Sequence, residues 1–301
     1  MAKAPPVARS LPQRLAPWAL MVLAVVWGST LFSTKRLISV IPVPDFLFVR
    51  FAISTLLLVA VFHRSLKMSR QLWLRGSLLG VIWSVGQLLQ TAGIGLTSAS
   101  IAGFVTGLYV VITPVLGLIL YKLRVHPWVW VAVALSTVGL ATLTIRPVEG
   151  GFGVGSGEIL VALSAIAYAF HIVFLGRWSK PSDVASLTVA QGLSMTVVFF
   201  FFALPDGITL PSTGVNWAWM IYLAVMGGAV SIVVQTWAQG HMEASVAAVI
   251  MCSEPLWATF FAMLFGGERP NWLFAVGAAA ILISMYLVIK PPGVKRPSVP
   301  D

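Results

Sequence analysis

Three ionisable side chains lie inside long apolar runs of the sequence. Arg50, His171 and Glu254 are each flanked by mostly apolar residues. A charged side chain inside a membrane costs about 2.5–3.5 kcal/mol on insertion scales, and such residues usually face a cavity, a partner or a transport pathway. These three residues are therefore the first candidates for a site that binds or moves a solute.

Each of the three side chains has two interpretations. Arg50 could bind a substrate carboxylate through two parallel hydrogen bonds, or it could form a structural ion pair with Glu254. Glu254 directly precedes Pro255, which lacks a backbone N–H and interrupts helical hydrogen bonding. This carboxyl group is therefore a candidate proton carrier, unless it is the partner of Arg50. His171 titrates near neutral pH when unperturbed and is the second candidate proton carrier; its alternative role is hydrogen-bonded helix packing.

Amide and aromatic side chains extend the candidate site. Gly80, Ser84, Gln87 and Thr91 are spaced by four, three and four residues, which places them on one face of a helix. Such stripes predict either a polar cavity wall or hydrogen bonds between helices, each worth about 0.6–2 kcal/mol. Aromatic rings could stack on an aromatic or cationic substrate, or pack against lipid and other helices. The further cavity candidates are Trp27, Gln87, Gln90, Tyr109, Tyr168, Gln191 and Gln235.

The composition requires lipid as the solvent for most of the surface. Of 301 residues, 58% are hydrophobic and only 9% are charged, whereas soluble domains carry about 25% charged residues. The net charge of +10 comes from basic residues in short gaps between apolar runs, a membrane pattern that argues against nucleic-acid binding. A single cysteine, Cys252, excludes an internal disulfide.

Ten apolar segments are long enough to span a bilayer, and in lipid they must be helices. Of the 19 Lys and Arg residues, 14 fall on the side of the termini and 4 on the other side. This bias predicts an inner-membrane protein with both termini in the cytoplasm. The predicted segments cover residues 17–35, 44–62, 72–95, 99–121, 128–146, 157–175, 184–203, 216–239, 245–265 and 271–289.

The second half of the chain repeats the order of the first. Thr91–Ser100 resembles Thr236–Ser245, and each copy later reaches a proline, Pro114 or Pro255. Five helices per half is an odd number, so the two halves must cross the membrane in opposite senses, which is typical of transporters. The predicted fold is an all-α integral membrane protein with two inverted five-helix repeats around a central cavity. The predicted units are a disordered tail (1–16), a first repeat (17–146), a linker (147–156), a second repeat (157–290) and a tail (291–301).

No enzyme machinery is visible in the sequence. Glu149–Glu158 is glycine-rich, but it neither follows a strand nor carries a phosphate-binding lysine, so it is interpreted as a flexible linker. The sequence contains no paired-cysteine metal site and no nucleophile with a base. We therefore predict no cofactor, no metal and no catalytic residue. Gly76-x-x-x-Gly80 and Gly103-x-x-x-Gly107 indicate close internal helix packing, and a monomer is sufficient.

An ordered set of motifs over residues 17–289 resembles the drug/metabolite transporter superfamily, specifically its ten-helix EamA-like branch. The resemblance implies inverted five-helix repeats around a cavity and export of amino acids, other small metabolites or toxic compounds. One departure is Tyr121–Arg124, where the family often has Gly-Glu. The motifs are Trp27-Gly28-Ser29 with Lys35, Arg50, Thr97-Ser98-Ala99-Ser100, Tyr109 through Pro114, Glu254-Pro255 and Gly266-Gly267-Glu268.

These observations predict a secondary transporter that exports small organic solutes by alternating access, with protons as a candidate coupling ion. Its expected partners are a small-molecule substrate and the lipid bilayer. The alternatives are a facilitative pore, a uniporter or exchanger of nucleosides or phosphorylated sugars, and a membrane enzyme. The sequence leaves the substrate, the coupling and the direction of transport open.

Overall fold

The computed structural model describes most of the chain. Three predicted regions lie outside the described residues: the first nine residues of the N-terminal tail, most of the linker and the C-terminal tail. Gly267 and Glu268 of the motif set also lie outside them. The described residues are 10–97, 99–123, 125–144, 155–205, 207–266 and 272–289.

Regular structure in the described residues is entirely helical. A 3₁₀ turn at His63–Leu66 and a π-helical turn at Val225–Val230 (called the π-turn below) interrupt the α-helices. The α-helices are α1 (Leu11–Ile38), α2 (Val43–Phe62), α3 (Arg70–Leu96), α4 (Ala99–Gly107), α5 (Tyr109–Tyr121), α6 (Pro127–Thr144), α7 (Ser156–Trp178), α8 (Val184–Ala203), α9 (Gly214–Ala224), α10 (Ser231–Gln239), α11 (Ala244–Met251), α12 (Glu254–Gly266) and α13 (Trp272–Ile289).

Eight helical stretches in this part of the chain are long and apolar enough to cross a membrane. They overlap eight of the ten predicted segments. The fifth and tenth predicted segments overlap shorter apolar helices at Pro127–Gly139 and Ala275–Ile289. The number of crossings therefore stays a prediction for these two segments.

The first helix begins earlier than predicted. Residues 1–16 were expected to be disordered, but α1 begins at Leu11. The backbone N–H of Ser10 donates to Oε1 of Gln13 at 3.0 Å, and Pro12 lies in the first turn, where its missing N–H costs nothing. The prediction of disorder is wrong for residues 11–16 because these capping residues extend the helix beyond its apolar run.

Two of the apolar stretches are broken helices. Helix α11 ends at Met251 and α12 begins at Glu254, so the break lies directly before Pro255. Proline cannot donate to the carbonyl group four residues earlier, so the ladder of helical hydrogen bonds stops there. The other break, at Leu108, separates α4 from α5. Both breaks lie inside stretches long and apolar enough to cross a membrane, Ile101–Tyr121 and Ala244–Phe261.

Small residues allow α3 to lie close to α8. A Cβ atom on Gly76 would lie 2.4 Å from Cβ of Ala190, and one on Gly80 would lie 2.6 Å from the backbone oxygen of Gln191. Gly103 likewise lies against Pro255 of α12. These glycines of the two GxxxG patterns therefore serve contacts between helices of one chain, as the sequence indicated.

We expect Gly80→Ala to destabilise the folded protein by about 1–3 kcal/mol, because the added methyl group would overlap the backbone of α8. Melting of the purified protein in detergent measures this effect. Gly95→Ala is the matched control on the same helix, since a Cβ there has its nearest neighbour at 3.8 Å. Equal melting temperatures for the two variants would contradict this account of the packing.

Candidate functional site

A cavity lined by polar and aromatic side chains lies among the helices. Cavities in which a few polar groups converge are the usual places for small molecules to bind. Nine of the ten side chains predicted from the sequence line it, and Gln191 does not. The nine are Trp27, Arg50, Gln87, Gln90, Tyr109, Tyr168, His171, Gln235 and Glu254.

Arg50 is bound by backbone carbonyl groups. Its Nη2 donates to the oxygen of Gly227 at 2.7 Å, and its Nε donates to the oxygen of Leu223 at 3.3 Å. The side chain is only 5% exposed, and its guanidinium group lies 5.0 Å from the ring centroid of Phe51. The structure contains no Arg50–Glu254 ion pair, so the structural lock considered from the sequence is wrong. The charge is instead stabilised by carbonyl dipoles.

The π-turn supplies these dipoles. A π-helical turn inserts a residue into the helix and displaces the normal hydrogen bonds of nearby carbonyl groups. Ser54 donates to the oxygen of Ala224 at 2.7 Å, beside the two bonds from Arg50. Gly227 and Gly228 are needed for this approach, because a Cβ would lie 2.6 Å from Nη2 of Arg50 and 2.1 Å from Oγ of Ser54 respectively. Helix α2 and the π-turn are thereby joined.

A chain of hydrogen bonds follows one wall of the cavity. Nη1 of Arg50 lies 3.5 Å from Oε1 of Gln87, whose Nε2 donates to the hydroxyl of Tyr168 at 2.8 Å. That hydroxyl donates to Oε1 of Gln90 at 2.9 Å, and Nε2 of Gln90 donates to Oγ1 of Thr106 at 3.0 Å. Every member after Arg50 both donates and accepts, with Thr106 donating to the oxygen of Ala102, so the wall is rigid and largely satisfied without a ligand.

We expect Tyr168→Phe to raise the KM for transport about tenfold, which equals roughly one net hydrogen bond. The change removes the acceptor of Gln87 and the donor of Gln90, so the side chain next to Arg50 loses its support. Initial rates in vesicles measure the effect. Tyr222→Phe is the control, because its hydroxyl contacts Ser29 at 2.5 Å and does not line the cavity. The same KM in both variants would contradict a role for the chain.

Gln191, the one predicted site residue that does not line the cavity, orients His171. Nε2 of Gln191 lies 3.2 Å from the backbone oxygen of Leu187 and 3.2 Å from Oγ1 of Thr236, so its Oε1 faces His171 at 2.9 Å. An amide oxygen only accepts, which assigns the hydrogen to Nε2 of the imidazole. The ring also packs on Trp83, with centroids 4.8 Å apart. Gln191 is therefore a positioning residue for His171.

The polar stripe predicted on α3 is correct for only half of its members. Gln87 and Thr91 line the cavity, whereas Gly80 faces α8 and the hydroxyl of Ser84 donates back to the oxygen of Gly80 at 2.8 Å. Five residues of α3 line the cavity: Thr91 and four others that follow the same spacing of four, three and four residues. These four are Trp83, Gln87, Gln90 and Ile94. A stripe chosen by polarity alone leaves out Trp83, although Trp83 lies four residues before Gln87 and so shares its helix face.

Helix α1 adds further lining residues. Thr30 and Leu31 lie one turn beyond Trp27 and Thr34 lies two turns beyond it, and Nε1 of Trp27 donates to Oγ of Ser231 at 2.9 Å. The described residues contain no group of three or more His, Cys, Asp or Glu side chains that could hold a metal ion. What the cavity offers is hydrogen bonding, one arginine, one glutamate and aromatic faces.

Comparison with known proteins identifies the family. The sequence model of the EamA-like transporter family matches residues 14–145 and again residues 155–290. The chain belongs to this family.

An uncharacterized transporter of Archaeoglobus fulgidus is 26% identical over 284 residues, covering 93% of this chain and 88% of the relative. An uncharacterized transporter of Synechocystis is 25% identical, covering 75% of this chain and 68% of the relative. A protein of known crystal structure shares the fold at a TM-score of 0.72 with 18% identity, over 93% of this chain and 96% of that chain. The protein is therefore a multi-pass, all-helical membrane transporter, which confirms that part of the prediction.

Proposed function

We propose that this transporter exports small organic solutes, amino acids or related metabolites, across the inner membrane by alternating access. The observation that carries the proposal is the cavity itself. It lies between helices of both family-matched segments, with Arg50 from the first and Glu254 from the second. Alternating access requires a site that both halves share, because their relative movement exposes it to each side in turn.

Contacts between equivalent residues support the inverted repeat. Thr55 and Thr196 are 141 positions apart, and their hydroxyls are 2.8 Å apart, as expected for equivalent residues on a two-fold axis. Trp27 lies against Ser231 and Tyr168 lies against Gly86, where a Cβ would be 2.6 Å from the ring. Tyr168 follows Trp27 by 141 positions and Ser231 follows Gly86 by 145, the offsets of the sequence repeat.

Arg50 supports a substrate that carries a carboxylate. A guanidinium group has five N–H donors, two of them on each terminal nitrogen. Nη2 uses one N–H for Gly227, and Nη1 has Gln87 as its neighbour at 3.5 Å. One N–H on each terminal nitrogen is left for the cavity, which is the arrangement that binds the two oxygens of a carboxylate in parallel. An amino acid provides this group.

The remaining parts of the proposal concern orientation and coupling. The excess of Lys and Arg on one side supports cytoplasmic termini in an inner membrane. Glu254 and His171 both line the cavity, so a proton bound at either could be exchanged for substrate. Uncoupled efflux is the alternative mechanism, and the Glu254 and His171 variants discussed below distinguish the two.

Counterflow in proteoliposomes tests the proposed function. Vesicles are preloaded with a mixture of amino acids, and entry of each labelled amino acid is measured at two pH values. A carrier gives saturable entry that the internal solute accelerates. A pore gives entry with neither property, and a membrane enzyme converts its substrate in detergent, without a second compartment. No accelerated exchange with any amino acid would overturn the assignment of amino acids as substrates.

A further inference from the structure

The polar groups of the cavity divide into two walls. The wall that includes Gln87, Gln90 and Tyr168 is bonded internally. On the other wall, the Tyr109 hydroxyl and Oε1 of Gln235 are buried and have no hydrogen-bond partner. Both side chains are only 3% exposed, and both line the cavity together with Glu254. A buried polar atom without a partner costs about 1–3 kcal/mol, so a ligand that satisfies these atoms gains binding energy there.

The orientation of the Gln235 amide follows from its neighbours. The backbone oxygen of Ile172 can only accept, so the group of Gln239 that lies 3.1 Å from it must be Nε2. Oε1 of Gln239 then faces Gln235 and accepts from its Nε2 at 3.2 Å. Oε1 of Gln235 is therefore left for the cavity. The backbone carbonyl of Ile172 thus fixes the orientation of the Gln239 amide, which fixes that of the Gln235 amide. Gln235 therefore presents an acceptor and not a donor to the cavity.

The chemistry of this wall selects a cationic donor. Gln235 presents an acceptor, and the Glu254 carboxyl group lines the same cavity. A primary ammonium group has three N–H donors and no acceptor, which matches such a wall. Trp27 and Tyr109 add aromatic faces to the cavity, and aromatic faces attract organic cations. A carboxylate or a keto group would find a donor only in the Tyr109 hydroxyl and would leave Gln235 unsatisfied.

We propose that the wall of Tyr109, Gln235 and Glu254 binds the protonated primary amine of the substrate, and that Gln235 is the specificity-determining residue, held in position by Gln239. The inference rests on the proposed function, which it makes more specific. Arg50 binds the carboxylate of an amino acid, and the wall of Tyr109, Gln235 and Glu254 distinguishes its ammonium group from a hydroxyl group. Gln239 does not line the cavity, so it acts only through Gln235.

Thermal stabilisation of the purified full-length protein tests the inference without transport. The probes are leucine, 3-methylbutylamine, phenylalanine and phenethylamine, each compared with the compound in which a hydroxyl replaces the amine. We expect the amines to half-saturate at concentrations about 10-fold lower than their hydroxyl partners, because a hydrogen bond to a charged group is stronger than one between neutral groups. Equal effects of the two series, or no effect of any amine, would overturn the proposal.

Variants identify the residues responsible. Gln235→Met removes the acceptor at similar side-chain length, and Gln239→Met releases the Gln235 amide from its fixed orientation. Both should reduce the preference for amine over hydroxyl to near unity. Gln235→Glu keeps the acceptor and should preserve or raise that preference. Thr188→Val is the control, since this buried hydroxyl also lacks a partner but lies outside the cavity lining.

The outcomes separate the two proposals. A preference for amines that survives in both Met variants would overturn the role of Gln235 and Gln239, whatever the vesicles transport. Exchange in vesicles of solutes whose hydroxyl analogues compete equally would also overturn the amine wall and leave the transporter assignment intact. Amine-selective stabilisation of the purified protein without any exchange would support the wall and count against the proposed amino-acid transport.

Discussion

Arg50→Ala should reduce transport of carboxylate-bearing solutes about 100-fold or more, the largest effect we expect from a single change. A 100-fold loss corresponds to about 2.7 kcal/mol, within the roughly 2–5 kcal/mol observed when one partner of a buried, hydrogen-bonded charge pair is removed. The variant loses the two donors left for the carboxylate and also leaves the carbonyls of Leu223 and Gly227 without their partner. Counterflow with a labelled amino acid measures the loss.

Two further variants separate binding from structural damage. Gly227→Ala keeps the arginine but would place a methyl group 2.6 Å from its Nη2, so it should reproduce part of the defect. Arg36→Ala, at an exposed position near the end of α1, should leave transport unchanged. Transport of an amine without a carboxylate should persist in Arg50→Ala. Normal kinetics for an amino acid in Arg50→Ala would remove this residue from the site.

Glu254→Gln should abolish uphill, pH-driven accumulation while counterflow continues at a reduced rate. The substitution keeps the shape of the side chain and its ability to accept a hydrogen bond, but it cannot bind and release a proton. Glu254 lies beside the break between α11 and α12, is 6% exposed and lines the cavity, so it can meet both the substrate and a proton. Vesicles with an imposed pH gradient measure accumulation, and vesicles without one measure exchange.

The control for this prediction is Asp45→Asn, which makes the same chemical change at a buried carboxyl group outside the cavity lining. Asp45 accepts from the backbone N–H of Thr209 at 2.9 Å. His171→Ala tests the second candidate. The Nε2–H of this histidine already donates to Oε1 of Gln191, a side chain that does not line the cavity. If Glu254→Gln and His171→Ala both retain accumulation and its pH dependence, coupling through these groups is wrong.

Most of the candidate side chains could be assigned to one cavity from the sequence, because polar side chains in apolar helices avoid lipid and face a cavity or one another. Gln87, Tyr168 and Glu254 come from three distant segments and line one cavity. The partner of Arg50 could not be predicted, since it is a set of backbone carbonyls. Only the Gly227-Gly228 pair points to the π-turn in the sequence, and glycine pairs also occur in regular membrane helices.

The face of α3 could be predicted only approximately. The predicted stripe, which begins at Gly80, and the observed stripe, which begins at Trp83, share Gln87 and have the same helical spacing. Polarity alone therefore does not distinguish the two faces. Gly80 and Ser84 were assigned to the cavity, and the packing of α8 against Gly80 turns them away from it. The division of the amides into bonded and unpartnered groups also required coordinates, because it depends on which oxygen faces which nitrogen across three helices.

The proposed alternating access, in which α2 moves, predicts that transport is sensitive to voltage. The charge of Arg50 is held by neutral carbonyl dipoles at the end of α9 and in the π-turn, and the described residues place no carboxylate at ion-pair distance from it. Moving one elementary charge across a whole membrane at 100 mV changes its free energy by about 2.3 kcal/mol. If α2 and the π-turn travel through a third of that field, the two conformations differ by about 0.8 kcal/mol. Their ratio then shifts about fourfold with the membrane potential, even when the solute carries no net charge.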